Sequence, residues 1–345
     1  MNSRLGTTLK IGLGLVVSAV CLWLAIRNAP ITEVVDSLGH VNVGWVLASA
    51  ATIVVSLWAR GCRWRVLLGE RGTRMEYFWA QSIGSLLTNI FPLRAGEAGR
   101  VVIVSRRIGI PLVQVGASLV LERALDLAVI LSLLATLLLL MDVPWQVTAT
   151  GLALGAALAV AWLGVIVLLL AGQRLSGLVS LIADRLPGRF RQLALDTWDH
   201  VLSALDPLRD VRVVAQVVLW SAVVWIMGIA GFWAAIEAVT PGAGLLEPAF
   251  ALVAVAVGVA LPSSPGFIGV FHLIGQQALA QPFPDRYTVT QAFTITMLNH
   301  AAYYLTSTLL GAVGLARLGI SLSAVRAADP EAPLDRVSVE HVPGA

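Results

Sequence analysis

Apolar residues run along this chain in long uninterrupted stretches, not in the alternation of a strand or the single stripe of a soluble helix. A hydrocarbon core of about 30 Å takes about 20 apolar residues to cross, whereas about 10 to 14 mark a re-entrant or partly buried segment. Length therefore sorts the runs. Leu9–Ile26, Leu119–Met141, Val147–Ala171, Val213–Val239 and Thr288–Ala316 read as complete spans, and Val43–Ala59 as a sixth at the short limit. Arg27 beside the small residues Ala25 and Ala29 argues against signal cleavage, so the first helix reads as retained.

Two regions are too short to cross. Phe78–Phe91 would give about 21 Å of helix and runs directly into Pro92–Arg100, PLRAGEAGR. Phe250–Leu261 and Phe267–Gln281 are also short, and PSSPG at 262–266 separates them with two prolines that remove backbone donors. Both regions read as re-entrant or broken helices. The breaks match in spacing: Pro92, Gly96 and Gly99 in the first, Pro262, Gly266 and Gly269 in the second, with Pro265 added.

The expected fold is an all-α polytopic membrane protein, a helical bundle built as an inverted-topology repeat. Each half holds three spans plus one re-entrant or broken helix, residues 9–141 and then 147–316. Three crossings per half is an odd number, so the second half is inverted. Residues 1–316 then form one transporter-like transmembrane domain, with a cytoplasmic amphipathic loop at 173–212 and a disordered cytoplasmic tail at 321–345. With both termini cytoplasmic, 20 of the 23 Lys and Arg residues lie inside, Arg27 and Arg286 lie outside, and Arg123 sits within a span. Had Phe78–Phe91 crossed, Arg94, Arg100, Arg106 and Arg107 would face outward.

Composition agrees and narrows the function. Of 345 residues, 58% are hydrophobic and 12% charged, with a mean hydropathy of +0.85, which excludes an ordinary soluble enzyme and a disordered chain. The net charge of +3 is explained by cytoplasmic loop bias, with no need for nucleic acid. Cys21 and Cys62 form neither a disulfide framework nor a CxxC pair, and no metal or other cofactor is expected. There is no Walker A, HExxH or GxSxG motif, so neither an ATP motor nor a hydrolase is indicated.

The candidate chemistry lies in a few polar residues at membrane depth. Glu122, Arg123 and Asp126 share an arc of about 100°, and Arg123 can pair with Asp126 at i,i+3. They are either functional groups facing the bundle interior or a satisfied ion pair joining two helices. Arg94, Glu97 and Arg100 follow the first break. Guanidinium forks beside a helix N-terminus near Gly96 suit a phosphate, and an ordinary positive-inside loop is the other reading. Ser263 and Ser264 offer uncharged hydroxyls in the second break. His272, Asn299 and His300 are late polar residues that either bind or relay protons, or bond to nearby carbonyls.

The sequence around NIFPLRAGEAGR (89–100), Glu122-Arg123 with Asp126, and LPSSPGFIG (261–269) resembles one known family. It is similar to the flippase-like family named after the membrane region of lysylphosphatidylglycerol synthases, such as the multiple peptide resistance factor of bacteria. The resemblance covers roughly residues 9–320. It implies an inner-membrane protein handling a phospholipid or lipid-linked substrate, with Arg94, Glu97, Arg100, Glu122, Arg123 and Asp126 as the carried-over positions. Two departures accompany it. The large soluble aminoacyl-transfer domain of the synthases has no counterpart in these residues, so synthesis of an aminoacylated lipid is not implied. Family members often carry a basic residue early in the last helix, where Asn299 and His300 stand here. The expected role is a flippase; the alternatives are a lipid-modifying membrane enzyme and an accessory subunit of a separate lipid synthase. A homodimer is a further expected partnership.

Overall fold

The computed structural model describes residues 2–27, 29–92, 95–141, scattered positions between 156 and 172, 174–260 and 263–320. Among these residues all regular structure is helical. The helices are α1 (Asn2–Arg27), α2 (Ile31–Gly39), α3 (Val43–Leu67), α4 (Arg74–Ile90), α5 (Ala95–Ile108) and α6 (Leu112–Leu140). There follow α7 (Arg174–Ala183), α8 (Gly188–Leu205), α9 (Val211–Val239), α10 (Leu246–Gly258), α11 (Val270–Ala280) and α12 (Val289–Leu318).

Helix ends follow the local sequence. Thr73 and Glu76 form a capping box that starts α4, Thr288 and Gln291 another that starts α12, and Asn42 caps α3. Gly319 ends α12 with φ 64°.

The chain ends of the helices gather into two poles. At one pole the end of α3, the start of α4, the end of α5, the start of α6 and the end of α12 meet. Leu68, Ile108, Ile110, Leu112, Leu315 and Leu318 pack together there, and Arg107 Nη1 donates to the Leu318 carbonyl at 3.2 Å. At the opposite pole the Asn42 amide donates to the Ala238 carbonyl at 3.0 Å, and Trp45 meets Trp233 edge-on at 5.1 Å. Arg286 pairs with Glu247 at 3.6 Å and Thr290 donates to Glu33 at 2.9 Å at that same pole.

The two short regions are antiparallel helix hairpins that enter from opposite poles. In the first, α4 runs in and α5 runs back. Glu76 pairs with Arg107 at 3.7 Å near its base, Gln81 bonds Arg100 midway, and Gly96 lies against Gly84 and Thr88 near its tip. In the second, α10 starts at the other pole and α11 returns to it, where Leu279, Ala280, Phe283, Tyr287, Val239 and Ala243 share one apolar cluster. The tips meet in the middle against α12. A Cβ on Gly266 would lie 3.5 Å from the Asn89 carbonyl and 2.7 Å from the Tyr304 ring. The Tyr304 hydroxyl donates to the Asn89 carbonyl at 3.4 Å, and the Asn89 amide donates to Ser307 and Thr308 at 3.1 and 3.0 Å.

Proline and glycine make the breaks. Phe91 is extended with ψ 143°, the conformation that Pro92 imposes on the residue before it. Gly266 and Gly269 take φ 66° and 92°, and a Cβ on Gly269 would lie 2.1 Å from the Ser18 carbonyl. Only glycine fits that approach.

Among the described residues the candidate spans are fewer than the six crossings expected, and one of those six falls largely outside them. Of the described helices, α3, α6 and α9 are long and apolar enough to cross, and a fourth span results if Gly12–Arg27 and α2, bent by 75°, form one. At 30 residues α12 is long enough, but Thr290, Thr294, Thr296, Asn299 and His300 on its buried face dilute its apolar run. The span expected at Val147–Ala171 falls largely outside the described residues, as does the 321–345 tail. Within the expected 173–212 loop lie α7 and α8, where Trp198 donates to Ser176 at 2.9 Å and Leu178, Leu181, Ile182, Phe190 and Leu193 are exposed.

Candidate functional site

Three helices present charges to a common point, two each from α3 and α5 and three from α6, where Arg123 joins Glu122 and Asp126. Arg60 and Arg63 are three residues apart on α3, Glu97 and Arg100 three apart on α5, and Glu122 and Asp126 four apart on α6. Spacings of three and four put both members on one helix face. The tight α4–α5 hairpin brings α5 within reach, because Gly84 and Gly96 remove the side chains that would hold it away.

Glu122 is fully buried and is the hub. Its carboxylate lies 3.3 Å from Arg63 Nη2, 3.4 Å from Arg100 Nη1 and 2.9 Å from Arg123 Nη2. Asp126 is held by Arg63 Nη1 at 2.8 Å, Arg123 Nη2 at 3.3 Å and Arg60 Nη1 at 3.6 Å. Glu97 approaches Arg123 Nη1 at 3.9 Å. Neutral groups complete the shell. Arg63 Nη1 donates to Ser221 Oγ of α9 at 3.1 Å, and the Arg100 guanidinium lies 4.8 Å from the centre of the Trp64 ring. Trp64 Nε1 in turn donates to Ser118 Oγ at 2.9 Å, which fixes the indole.

The cluster is graded in depth. Arg63 is 0% and Arg100 5% exposed at the side chain, whereas Arg60 is 29% and Arg123 37% exposed. A group arriving from the surface meets Arg60 and Arg123 first, with two buried guanidiniums behind them. Four guanidiniums face three carboxylates, so the cluster carries one surplus positive charge. Its buried polar atoms without a hydrogen bond are of both kinds: the donors Arg63 Nε, Arg123 Nε and Gln81 Nε2, and the carboxylate oxygens Glu122 Oε2 and Asp126 Oδ1, which are held by ion pairs alone. The unbonded atoms therefore do not by themselves choose a ligand; the surplus positive charge does, and the three free N–H donors beside it suit an anion rich in acceptor oxygens.

Most of the described residues singled out in the sequence gather at two places, with Asn299 apart from both. Glu97, Arg100, Glu122, Arg123 and Asp126 meet in the charged cluster, while Arg94 lies outside the described residues, as does Pro262. Gly96 and Gly99 lie in the first turns of α5 behind Pro92. His272, His300, Ser263 and Ser264 gather instead at the second break, beside Pro265, Gly266 and Gly269. There the Ser264 amide donates to Ser18 Oγ at 2.7 Å, and its hydroxyl donates to the Ile268 carbonyl at 3.1 Å. Asn299 faces α9, its Nδ2 3.8 Å from where a Gly231 Cβ would stand.

Arg60, Arg63 and Gln81 are cluster members that the sequence reading missed. Ending the second span at Ala59 assigned both arginines to a cytoplasmic loop, but α3 continues to Leu67 and carries Arg63 into the interior. A signal was there: RGCRWR (60–65) has no proline and keeps two arginines at helical spacing directly after an apolar span, and its glycine, Gly61, serves the close approach of Tyr77 and Phe78.

Among curated proteins, the chain is 33% identical over 144 residues to a protein of Haloferax volcanii described as glycosyltransferase AglD; the match covers 40% of this chain and 23% of that protein. The chain thus corresponds to about a quarter of that relative's length. No solved structure matches. The family described as the lysylphosphatidylglycerol synthase TM region matches residues 11–311, nearly the whole described bundle, so the chain belongs to that family and is a multi-pass membrane protein.

Proposed function

We propose that this protein binds and translocates a phospholipid or lipid-linked substrate across the inner membrane and does not act as an enzyme, with the phosphate seated on the arginine cluster. The observation that carries the reading is the surplus positive charge of a buried cluster open at Arg60 and Arg123, with unbonded N–H donors beside it. A lipid phosphate supplies what is missing, an anion with several acceptor oxygens matched to guanidinium forks.

The architecture supports transport. Two hairpins from opposite poles, with tips that meet, are what an inverted repeat would produce. Exchanging α3 with α9, α4 with α10, α5 with α11 and α6 with α12 also preserves the packing: α3 packs on α9, α4 on α5 and α12, and α10 on α11 and α6. Broken helices at matched positions of two inverted halves are the usual surroundings of a transporter's substrate site. Irregular backbone at membrane depth is tolerated where it is buried in protein or lines a polar passage. In this reading the arginine-rich pole, with Arg65, Arg71, Arg74, Arg106, Arg107 and Arg317, faces the cytoplasm.

Orientation has its own test. In a Cys21→Ala/Cys62→Ala background, cysteines at Arg27 and Arg286 are expected to react with a membrane-impermeant maleimide from outside the cell. Cysteines at Arg71 and Arg185 are expected to react only after permeabilisation, and outside labelling at Arg71 would invert the assignment.

Translocation is tested in proteoliposomes holding fluorescent phosphatidylglycerol, with dithionite quenching the outer leaflet. The protein is expected to move the protected probe outward, and Arg123→Gln to slow this at least about tenfold, the value of one charge-assisted bond of about 1.5 to 3 kcal/mol. Equal rates with and without protein sink the proposal. The relative described as a glycosyltransferase favours a second reading, in which the chain is the membrane part of a separate transferase or lipid synthase. In that case the protein binds lipid but moves none until the partner is added.

A further inference from the structure

The second break is closed by a relay of three hydrogen bonds through two buried histidines. The Gly269 amide lies 3.2 Å from His272 Nδ1, His272 Nε2 lies 3.3 Å from His300 Nδ1, and His300 Nε2 lies 2.8 Å from the Gly266 carbonyl. The two ends fix every proton between them. An amide can only donate, so His272 Nδ1 is the acceptor and its proton is on Nε2; that proton points at His300 Nδ1, which leaves the His300 proton on Nε2 for the carbonyl. The relay is complete with both rings neutral.

A further proton has nowhere to go without breaking a bond. On His272 Nδ1 it would oppose the Gly269 N–H, and on His300 Nδ1 it would oppose the His272 N–H. We propose that His272 and His300 are a proton-binding site that keeps the second break closed when neutral and lets it open when protonated. This goes beyond the lipid site and does not depend on it. By linkage, a proton that binds better to the open form than to the closed form shifts the population toward the open form.

The surroundings favour such a switch. The relay's two anchors, Gly266 and Gly269, bracket Phe267, which is held at φ 58°, the left-handed region that a bulky residue avoids. The same turn touches Asn89 at the tip of the first hairpin, so opening it would free both tips. The rings against the pair are Phe271 of α11 and Phe293 and Tyr304 of α12, with Phe232 of α9 behind Phe271, while Ser18 of α1 and Asn89 of α4 stand against the turn that the relay closes. Tyr304 is the titratable one among them, its ring centre 6.2 Å from that of His300. On α10, Glu247 is paired with Arg286 at the far pole. On α2, Glu33 is bonded to Thr290, ten residues along α12 from His300, about 15 Å at 1.5 Å per residue.

The test is thiol access to the break in proteoliposomes. In the Cys21→Ala/Cys62→Ala background, the reaction rate of Ser263→Cys with a small methanethiosulfonate is divided by that of Arg286→Cys, which cancels the thiol's own pH dependence. The ratio is expected to rise at least tenfold between pH 8 and pH 5. It is expected to stay flat in His272→Gln/His300→Gln, whose amides can keep the relay but do not titrate. A flat ratio in the protein with both histidines, or an equal rise in the double variant, overturns the proposal. Should the double variant not fold, nitrogen-15 spectra of labelled histidine in the wild-type protein decide. Two neutral Nε2–H rings at pH 8 and uptake of a proton by the pair by pH 5 support it; any other tautomer, or two neutral rings at pH 5, rejects it.

Discussion

Replacing Glu122 by Gln is expected to destabilise the protein by about 3 to 5 kcal/mol, the cost of leaving a buried charge without its partner. The carboxylate is the shared counter-charge of Arg63, Arg100 and Arg123, and the first two have almost no exposure through which water could replace it. Gln keeps the shape and one acceptor oxygen, so the loss reports charge and not packing. Unfolding in mild detergent, followed by denaturant titration, measures it. Removing a cation as well, in Glu122→Gln/Arg63→Gln, is expected to restore part of the loss, because a neutralised pair leaves less uncompensated charge than a broken one. Arg123→Gln is expected to cost at most about 1 kcal/mol, since its side chain is more than a third exposed and solvent screens its pairs. A Glu122→Gln protein within about 1 kcal/mol of the parent would mean that the carboxylate is not the hub, and that the arginines are held by other means.

The distinction between the buried and the open side of this cluster could not be read from the sequence. Helical spacing put Glu122, Arg123 and Asp126 on one arc and paired Arg123 with Asp126, and these atoms do lie 3.3 Å apart. Yet the nearest cation to Asp126 is Arg63, on another helix far back along the chain, because partners across a bundle depend on which helices touch. Periodicity on one helix says nothing of that. The two breaks were legible because proline and glycine act locally: Pro92 sets the conformation of Phe91, and Gly269 alone tolerates the approach of Ser18. The same reasoning stopped α3 too early, since it let arginine end a helix, although arginine is a good helix former. The histidines illustrate the limit from the other side. His272 and His300 stood out as polar residues in apolar sequence, but their joining into one relay rests on the turn between α10 and α11 folding back against α12.

Gly96→Ala is expected to disable the charged site without touching any charged residue. A Cβ at this position would lie 1.9 Å from the Gly84 carbonyl, 2.2 Å from Thr88 Oγ1 and 2.8 Å from the Thr88 amide nitrogen. Two of those atoms are backbone of α4, so no rotamer change relieves the clash and α5 must move outward. Arg100 lies one helical turn further along α5 and packs its own Cβ and Cδ on Gly84. An outward shift therefore draws its guanidinium away from Gln81 and Glu122 together. Overpacking of this kind costs about 1 to 3 kcal/mol, and the displaced guanidinium is expected to add a loss of anionic lipid binding of at least about tenfold. Gly116→Ala on α6 supplies the control: a Cβ there meets nothing within 4 Å, so stability is expected to hold or rise slightly, as alanine favours the helix. Binding of phosphatidylglycerol by the two purified variants, measured by native mass spectrometry, separates the outcomes. If Gly96→Ala binds as tightly as Gly116→Ala, the close approach of α5 to α4 is not what positions Arg100, and the charged cluster owes its geometry to the α3–α6 contacts alone.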